Sequence, residues 1–390
     1  MIARGVPRGP GLDPLGVVAC AIGAVALATL PFVLFKANRI LPGEPRAIAD
    51  VLPATLAWGF HALLALVAVV ALRARNAHLR LVVMLAGLAA TAMVVAVAAS
   101  ALTPDGNRVV RAAPGGGAWV LVILLGLLAT DALTRLQLGP LARVACMVAF
   151  LVAVVAALSS GYFDDLSIMR EYANNAARFA DEARRHAALA IGSLLAALIV
   201  GVPTGVACHR APRLRAAVLG ALQVVQTVPS IALFGILMAP LGALVAAWPA
   251  LASAGVSGIG AAPAAVALFL YALLPVVANT VVGLARVPES AVDAARGLGF
   301  TPLQVLREVE LPLALPTMLA GVRIALVQNV GLVTIAALVG GGGFGTFVFQ
   351  GIGQTAMDLV LLGALPTVAF AYSAAVVLEA LVERSQRVPR

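Results

Sequence analysis

The chain is a succession of apolar runs, most of them long enough to cross a lipid bilayer and separated by short charged stretches. A hydrocarbon core about 30 Å thick is spanned by roughly 20 apolar residues in a helix. Lipid offers the backbone no hydrogen-bond partner, so runs of this length must be helices that satisfy their own amides. A membrane β-barrel would instead alternate apolar and polar residues in short segments, and that pattern is absent. Runs at about 15–35, 52–72, 80–101, 118–134, 143–160, 187–207, 217–238, 263–285, 313–338 and 359–382 predict an all-α, polytopic membrane protein of about ten transmembrane helices. The stretch 241–251, with Trp248 and Pro249, reads as too short and broken to cross alone.

Composition supports the same class: 62% of residues are hydrophobic and 11% charged, too few charges for the polar shell of a soluble protein. The net charge of +9 raises the question of nucleic acid. The arginines, however, sit at the ends of apolar runs without a basic stripe or interleaved aromatics, so they read as topology signals. Arg4 and Arg8, then Arg73, Arg75 and Arg80, Arg135 and Arg143, Arg210, Arg213 and Arg215, and finally Arg384, Arg387 and Arg390 fall on one side if both termini are cytoplasmic. The predicted location is the cell's inner membrane. The run at 15–35 ends at Lys36 without a clear cleavage site and is longer than a signal peptide's apolar region, so a retained first span is expected.

The mixed-charge segment 161–186 divides the chain into a five-span extension (1–160), an external polar helical linker (161–186) and a second half (187–390) dense in Gly, Pro, Asn, Gln and Thr. Cys20, Cys146 and Cys208 show no metal-ligand spacing and read as small apolar side chains. His78, His186 and His209 lie at span ends. His61 lies inside a span, where interhelical bonding is its expected role.

The stretch 286–316 interrupts the apolar pattern. Pro288 suits a first helical turn, and Glu289 and Asp293 favour that helix's positive end. Gly297 and Gly299 can end it with positive-φ backbone. Thr301, Pro302 and Gln304 then form a capping-box signature for a second helix, and Pro312 and Pro316 mark the return into the membrane. The result is a bent, surface-exposed knob over 286–312.

Asp293-Ala294-Ala295, three residues, Gly299, nine residues, then Val309, Glu310, Leu311 and Pro312 resembles the coupling motif of ABC-importer permeases. That pattern is Glu-Ala-Ala, three residues, Gly, nine residues, Ile, one residue, Leu-Pro; here Asp replaces Glu and Val replaces Ile. The resemblance covers about 187–383 and implies a type I importer permease core whose knob docks on an ATPase. Gln226-Thr227-Val228-Pro229-Ser230, Leu270 to Pro275, Asn279-Thr280, Gly321-Val322-Arg323 and Gly340 to Gly345 are similar to permeases for osmoprotectants such as glycine betaine, choline and carnitine. The partners implied are a cytoplasmic ATPase dimer carrying ATP and magnesium, an extracytoplasmic substrate-binding protein, and a second permease copy or paralogue.

Within the spans, Gln226, Thr227, Pro229 and Ser230 suit a pathway, because Pro229 frees a backbone carbonyl that Ser230 can help re-satisfy; a kink used only for packing is the alternative. Asn279 and Thr280 are expected to join helices by hydrogen bonds. Arg323, costly inside a span, is expected to form a static ion pair. Gly342 and Gly345 fit a flexible external turn or gate.

The sequence has no P-loop motif, and its one lysine, Lys36, lies beside the first span; no cofactor, metal or catalytic constellation is expected in the chain. An ion-coupled carrier would need acidic residues at mid-membrane, and Asp131 lies near a span end with Arg135 four residues on. A permease for another small polar solute, such as an amino acid, is the nearer rival; a membrane enzyme is disfavoured by the missing catalytic residues.

Overall fold

The computed structural model describes residues 11–39, 41–104, 107, 109–253 and 255–386; Arg4, Arg8, Arg387 and Arg390, used above for topology, lie outside these. Its contacts divide the chain into two units, Met1–Gly139 with Leu151–Ala173 and Pro140–Phe150 with Asn174–Arg390.

In the first unit, helix α1 (Pro14–Thr29) leads into strands β1 (Val33–Lys36) and β2 (Glu44–Arg46). Helices α2 (Ile48–Val51), α3 (Ala54–Arg73) and α4 (Ala77–Leu102) follow, then strand β3 (Arg111–Pro114) and helix α5 (Gly116–Arg135). The strands form an antiparallel sheet in the order β2-β1-β3, with Val33 opposite both Arg46 and Pro114. This sheet is absent from the sequence reading, which carried the first run to residue 35. Pro31 has no amide to continue the helix, and the Val-Leu-Phe that follows suits extended backbone.

Asp13 caps α1, accepting from the Leu15 and Gly16 amides at 3.0 and 3.3 Å. Its other oxygen takes Arg80 at 3.0 Å and Arg135 at 2.5 Å, and Asp131 pairs with the same two arginines at 3.3 and 2.8 Å. Four charges thus cancel at one end of α1, α4 and α5, with Arg80 only 1% exposed. Burial pushes the Asp13 carboxyl up, but bonds from Arg135, the Gly16 amide and Arg80 outweigh it and hold it at about 2. His61 bonds the Ala57 carbonyl of its own helix at 2.6 Å, and among the described residues the expected interhelical bond is not made.

Helices α6 (Pro140–Leu158) and α7 (Ser167–Arg210) follow; α7 continues the polar stretch directly into the next apolar run, with non-helical dihedrals at Asn175. Next come α8 (Pro212–Thr227), α9 (Ser230–Ala247), α10 (Pro249–Ser253), α11 (Ala261–Ala285), α12 (Glu289–Gly297) and α13 (Pro302–Gln304). A π-helical turn (Val305–Glu310) enters α14 (Leu311–Ala336), and α15 (Gly345–Gly353) and α16 (Met357–Gln386) complete the described chain.

Among the described residues nine helical segments are long and apolar enough to cross a membrane, and α1 is a shorter apolar helix. The predicted span 217–238 is corrected: the chain breaks at Val228-Pro229, and the crossing helix is α9, which absorbs much of the 241–251 stretch. Of the three cysteines Cys208 is buried, whereas Cys146 is exposed.

Candidate functional site

Helix α11 is the axis on which the candidate residues are arranged. It packs against α14, α8 and α9, and its 25 residues extend roughly 37 Å at 1.5 Å per residue. At its start the Gly260 amide donates to Val339 O at 2.8 Å, joining it to the glycine turn. At its end the chain passes through Arg286 into α12. The candidate residues therefore occupy successive levels along one helix and do not converge on a single pocket.

The knob has the bend that its sequence signals. Gly299 adopts φ +85°, and the Gly299 and Phe300 amides donate to the Arg296 and Ala295 carbonyls at 2.9 and 3.1 Å, a Schellman closure of α12. Gly297 stays helical, so Gly299 alone supplies the left-handed residue; Pro288 sits at the cap rather than inside the first turn. The Thr301 amide donates to Gln304 Oε1 at 2.8 Å, and the Gln304 amide returns to Thr301 Oγ1 at 3.4 Å. Asp293 is 72% exposed and pairs at 3.5 Å with Arg296, while Ala295 is buried. Val309 and Leu311 are half-buried and Pro312 exposed. An exposed charged residue beside the small, exposed Ala294 suits docking against another protein.

Midway along α11, Tyr271 exchanges hydrogen bonds with the end of α8. Pro275 has no amide to give Tyr271 O, four residues earlier, and Gln226 Nε2 supplies that bond at 2.8 Å. Pro229 ends α8, and the Tyr271 hydroxyl donates to the Val228 carbonyl at 2.6 Å. The expected repair by Ser230 is corrected: the Val225 carbonyl, four residues before Pro229, accepts from the Val228 amide at 3.2 Å. Thr227 is exposed and bonds Val224 O in its own helix at 2.7 Å.

Two turns further on, Asn279 and Thr280 donate to the Pro275 and Val276 carbonyls of their own helix, both at 2.8 Å. They join helices by close approach instead of by hydrogen bonds: a Cβ on Gly321 would lie 2.5 Å from Asn279 Cβ, and one on Gly205 would lie 2.6 Å from Thr280 Cβ. Arg323 forms the expected ion pair, 3.3 Å from Glu379, a carboxylate that also lies 3.7 Å from Arg143.

The glycine turn is pinned, which overturns the expectation of a flexible one. Gly342 and Gly345 are both buried. The Gly343 amide donates to Glu182 Oε2 at 2.6 Å, and the Phe344 amide to His186 Nδ1 at 3.2 Å. With Nδ1 accepting, Nε2 carries the proton and donates to Val330 O at 3.1 Å. Arg178 reaches Gln350 at 3.0 Å and lies over the Phe347 ring. This role of Arg178, Glu182 and His186 is not announced by any motif, although their four-residue spacing places all three on one face of α7.

The profile of the "binding-protein-dependent transport system inner membrane component" family matches residues 193–387, half of the chain, and spans α11, the knob and the glycine turn. The chain belongs to this family. It is a multi-pass permease of the importer class, and its N-terminal part, residues 13–169, matches a second profile, "ABC transporter permease YehY, N-terminal domain". Among similar permeases is the osmoprotectant import permease protein OsmW of Salmonella typhimurium, 44% identical over 46% of this chain and 76% of the relative. The choline transport system permease protein OpuBD of Bacillus subtilis is 36% identical over 53% of this chain and 85% of its own. A solved inward-facing MetNI methionine ABC transporter aligns with 52% of this chain and 94% of its own, at 22% identity and a TM-score of 0.46.

Proposed function

We propose that this permease carries quaternary-amine osmoprotectants, of the glycine betaine, choline and carnitine type, into the cell as the membrane subunit of an ATP-driven importer. The observation that carries the reading is the knob: two closed helical turns joined at Gly299, with Asp293 exposed, lie at one end of α11, while the glycine turn lies at the other. Movement of an ATPase at residues 293–312 therefore has a helical path toward the opposite face. In this reading Asp293, Ala294, Ala295, Gly299, Val309, Leu311 and Pro312 receive the ATPase. Gln226, Pro229, Asn279, Thr280, Gly342 and Gly345 shape the helices lining the pathway. ATP and magnesium sit on the partner ATPase, an extracytoplasmic binding protein delivers the ligand, and a second permease completes the pathway. Both termini are cytoplasmic. The choice of quaternary amines draws on the names of the relatives, and an aromatic cage on the binding protein would suit such ligands.

Reconstitution with the ATPase and binding protein tests the proposal. Ligand-stimulated hydrolysis and ATP-dependent uptake of radiolabelled glycine betaine are expected. Uptake driven by a proton or sodium gradient without ATP would overturn the importer reading, and ATP-driven uptake of an amino acid in its place would overturn the substrate.

A further inference from the structure

The knob is attached to the rest of its unit by more than chain continuity. Glu310, the last residue of the π-helical turn, is 8% exposed at its side chain and accepts from Arg210 Nη2 at 2.6 Å. Arg210 is the final residue of α7, where the exposed carbonyls of a helix end favour a cation. Among the described residues of 286–312, the ion pairs are this one and the local Asp293–Arg296 contact. A recess of about 390 Å³ is lined by Glu289, Asp293 and Arg296 of α12 together with His209 and Glu310. Of these ion pairs, Arg210–Glu310 is the one that fastens the knob to α7. A π turn closes hydrogen bonds one residue longer than those of an α-helix, and such turns occur frequently at functional positions.

We propose that the Arg210–Glu310 pair is the positioning strut that carries displacement of the knob into α7. The inference rests on the reading of the knob as the ATPase-receiving segment, in which Glu310 is buried and is not one of the receiving residues. Through α7 the same displacement reaches Glu182 and His186, which hold the glycine turn. The pair touches neither the transported ligand nor the nucleotide; it acts by fixing the angle between the π turn and the end of α7. Without it the ATPase would still bind the knob and turn over, but the knob would tilt into the recess and less of each stroke would reach the spans.

The test uses the full importer in liposomes, with Glu310→Gln, Arg210→Gln and Arg210→Lys, reading ATPase co-purification, ligand-stimulated hydrolysis and uptake per ATP hydrolysed. The two glutamine variants should retain the ATPase and hydrolyse ATP within about twofold of the parent, while uptake per ATP falls about fivefold. Arg210→Lys, which keeps the charge, should restore most of that ratio. An unchanged ratio in both glutamine variants overturns the proposal. So does parallel loss of ATPase binding, hydrolysis and uptake, which would make the pair a purely structural contact. Failure of the parent protein to import would count against the importer reading itself, not against the strut.

Discussion

Gln226 and Tyr271 tie two helices together in both directions: Gln226 gives Tyr271 O the bond that Pro275 cannot, and the Tyr271 hydroxyl returns to Val228 O at the break between α8 and α9. A buried acceptor left without its donor costs roughly 1–3 kcal/mol. Gln226→Leu and Tyr271→Phe should each lower stability in detergent by that amount. Pro275→Ala restores an amide to α11, so it should recover most of the loss in Gln226→Leu and little of the loss in Tyr271→Phe. Equal rescue of both would show that the proline gap is not what Gln226 fills.

Gly299 holds φ +85° at the turn of the knob. A β-branched residue there is strained by roughly 1–2 kcal/mol or more. Because Gly299 has open space around it, the strain would reshape the knob rather than the spans. Gly299→Val should insert into the membrane normally yet lose ATP-driven uptake; uptake at the parental rate would remove residue 299 from the coupling segment.

His186 holds the Phe344 amide and the Val330 carbonyl together. His186→Leu leaves the Phe344 amide without its acceptor and should cost about 1–3 kcal/mol, read as a lower thermal midpoint. His186→Gln, able to donate and accept, should lose less, and hydrogen exchange of residues 340–345 should rise chiefly in the leucine variant.

The first unit should be acid-sensitive through Asp13. Its folded carboxyl lies at about 2 against an ordinary value of 3.8. The stabilisation is therefore complete above pH 4 and disappears as pH falls through about 2, a contribution of about 2 kcal/mol. Asp13→Asn should be less stable than the parent at pH 6, and the gap between their unfolding curves should narrow steadily on acidification toward pH 2. A constant gap would mean that Asp13's charge is not what joins α1, α4 and α5.

Membrane residence and the knob were legible because each rests on local rules: run length in the first case, capping and positive φ in the second. Thr301 and Gln304 make the reciprocal bonds that their spacing implies. What escaped the sequence was pairing at a distance. Nothing near Val228 announces that Tyr271 will reach it, and nothing in 33–36 announces strands at 44–46 and 111–114. Asn279 looked like an interhelical donor, but its own Pro275 carbonyl lies one turn away and takes the bond. The span break at residues 228–229 was missed because apolar residues continue on both sides, and hydropathy does not register a missing amide.

The bond from Gln226 also has a mechanical meaning. A proline lowers the bending stiffness of a helix at one point, and whatever replaces its missing bond sets how much stiffness returns. In α11 that replacement is held by α8, not by α11 itself. The rigidity of the rod between knob and glycine turn is therefore adjustable from outside: stiff while α8 stays in contact, and compliant at Pro275 once α8 moves away.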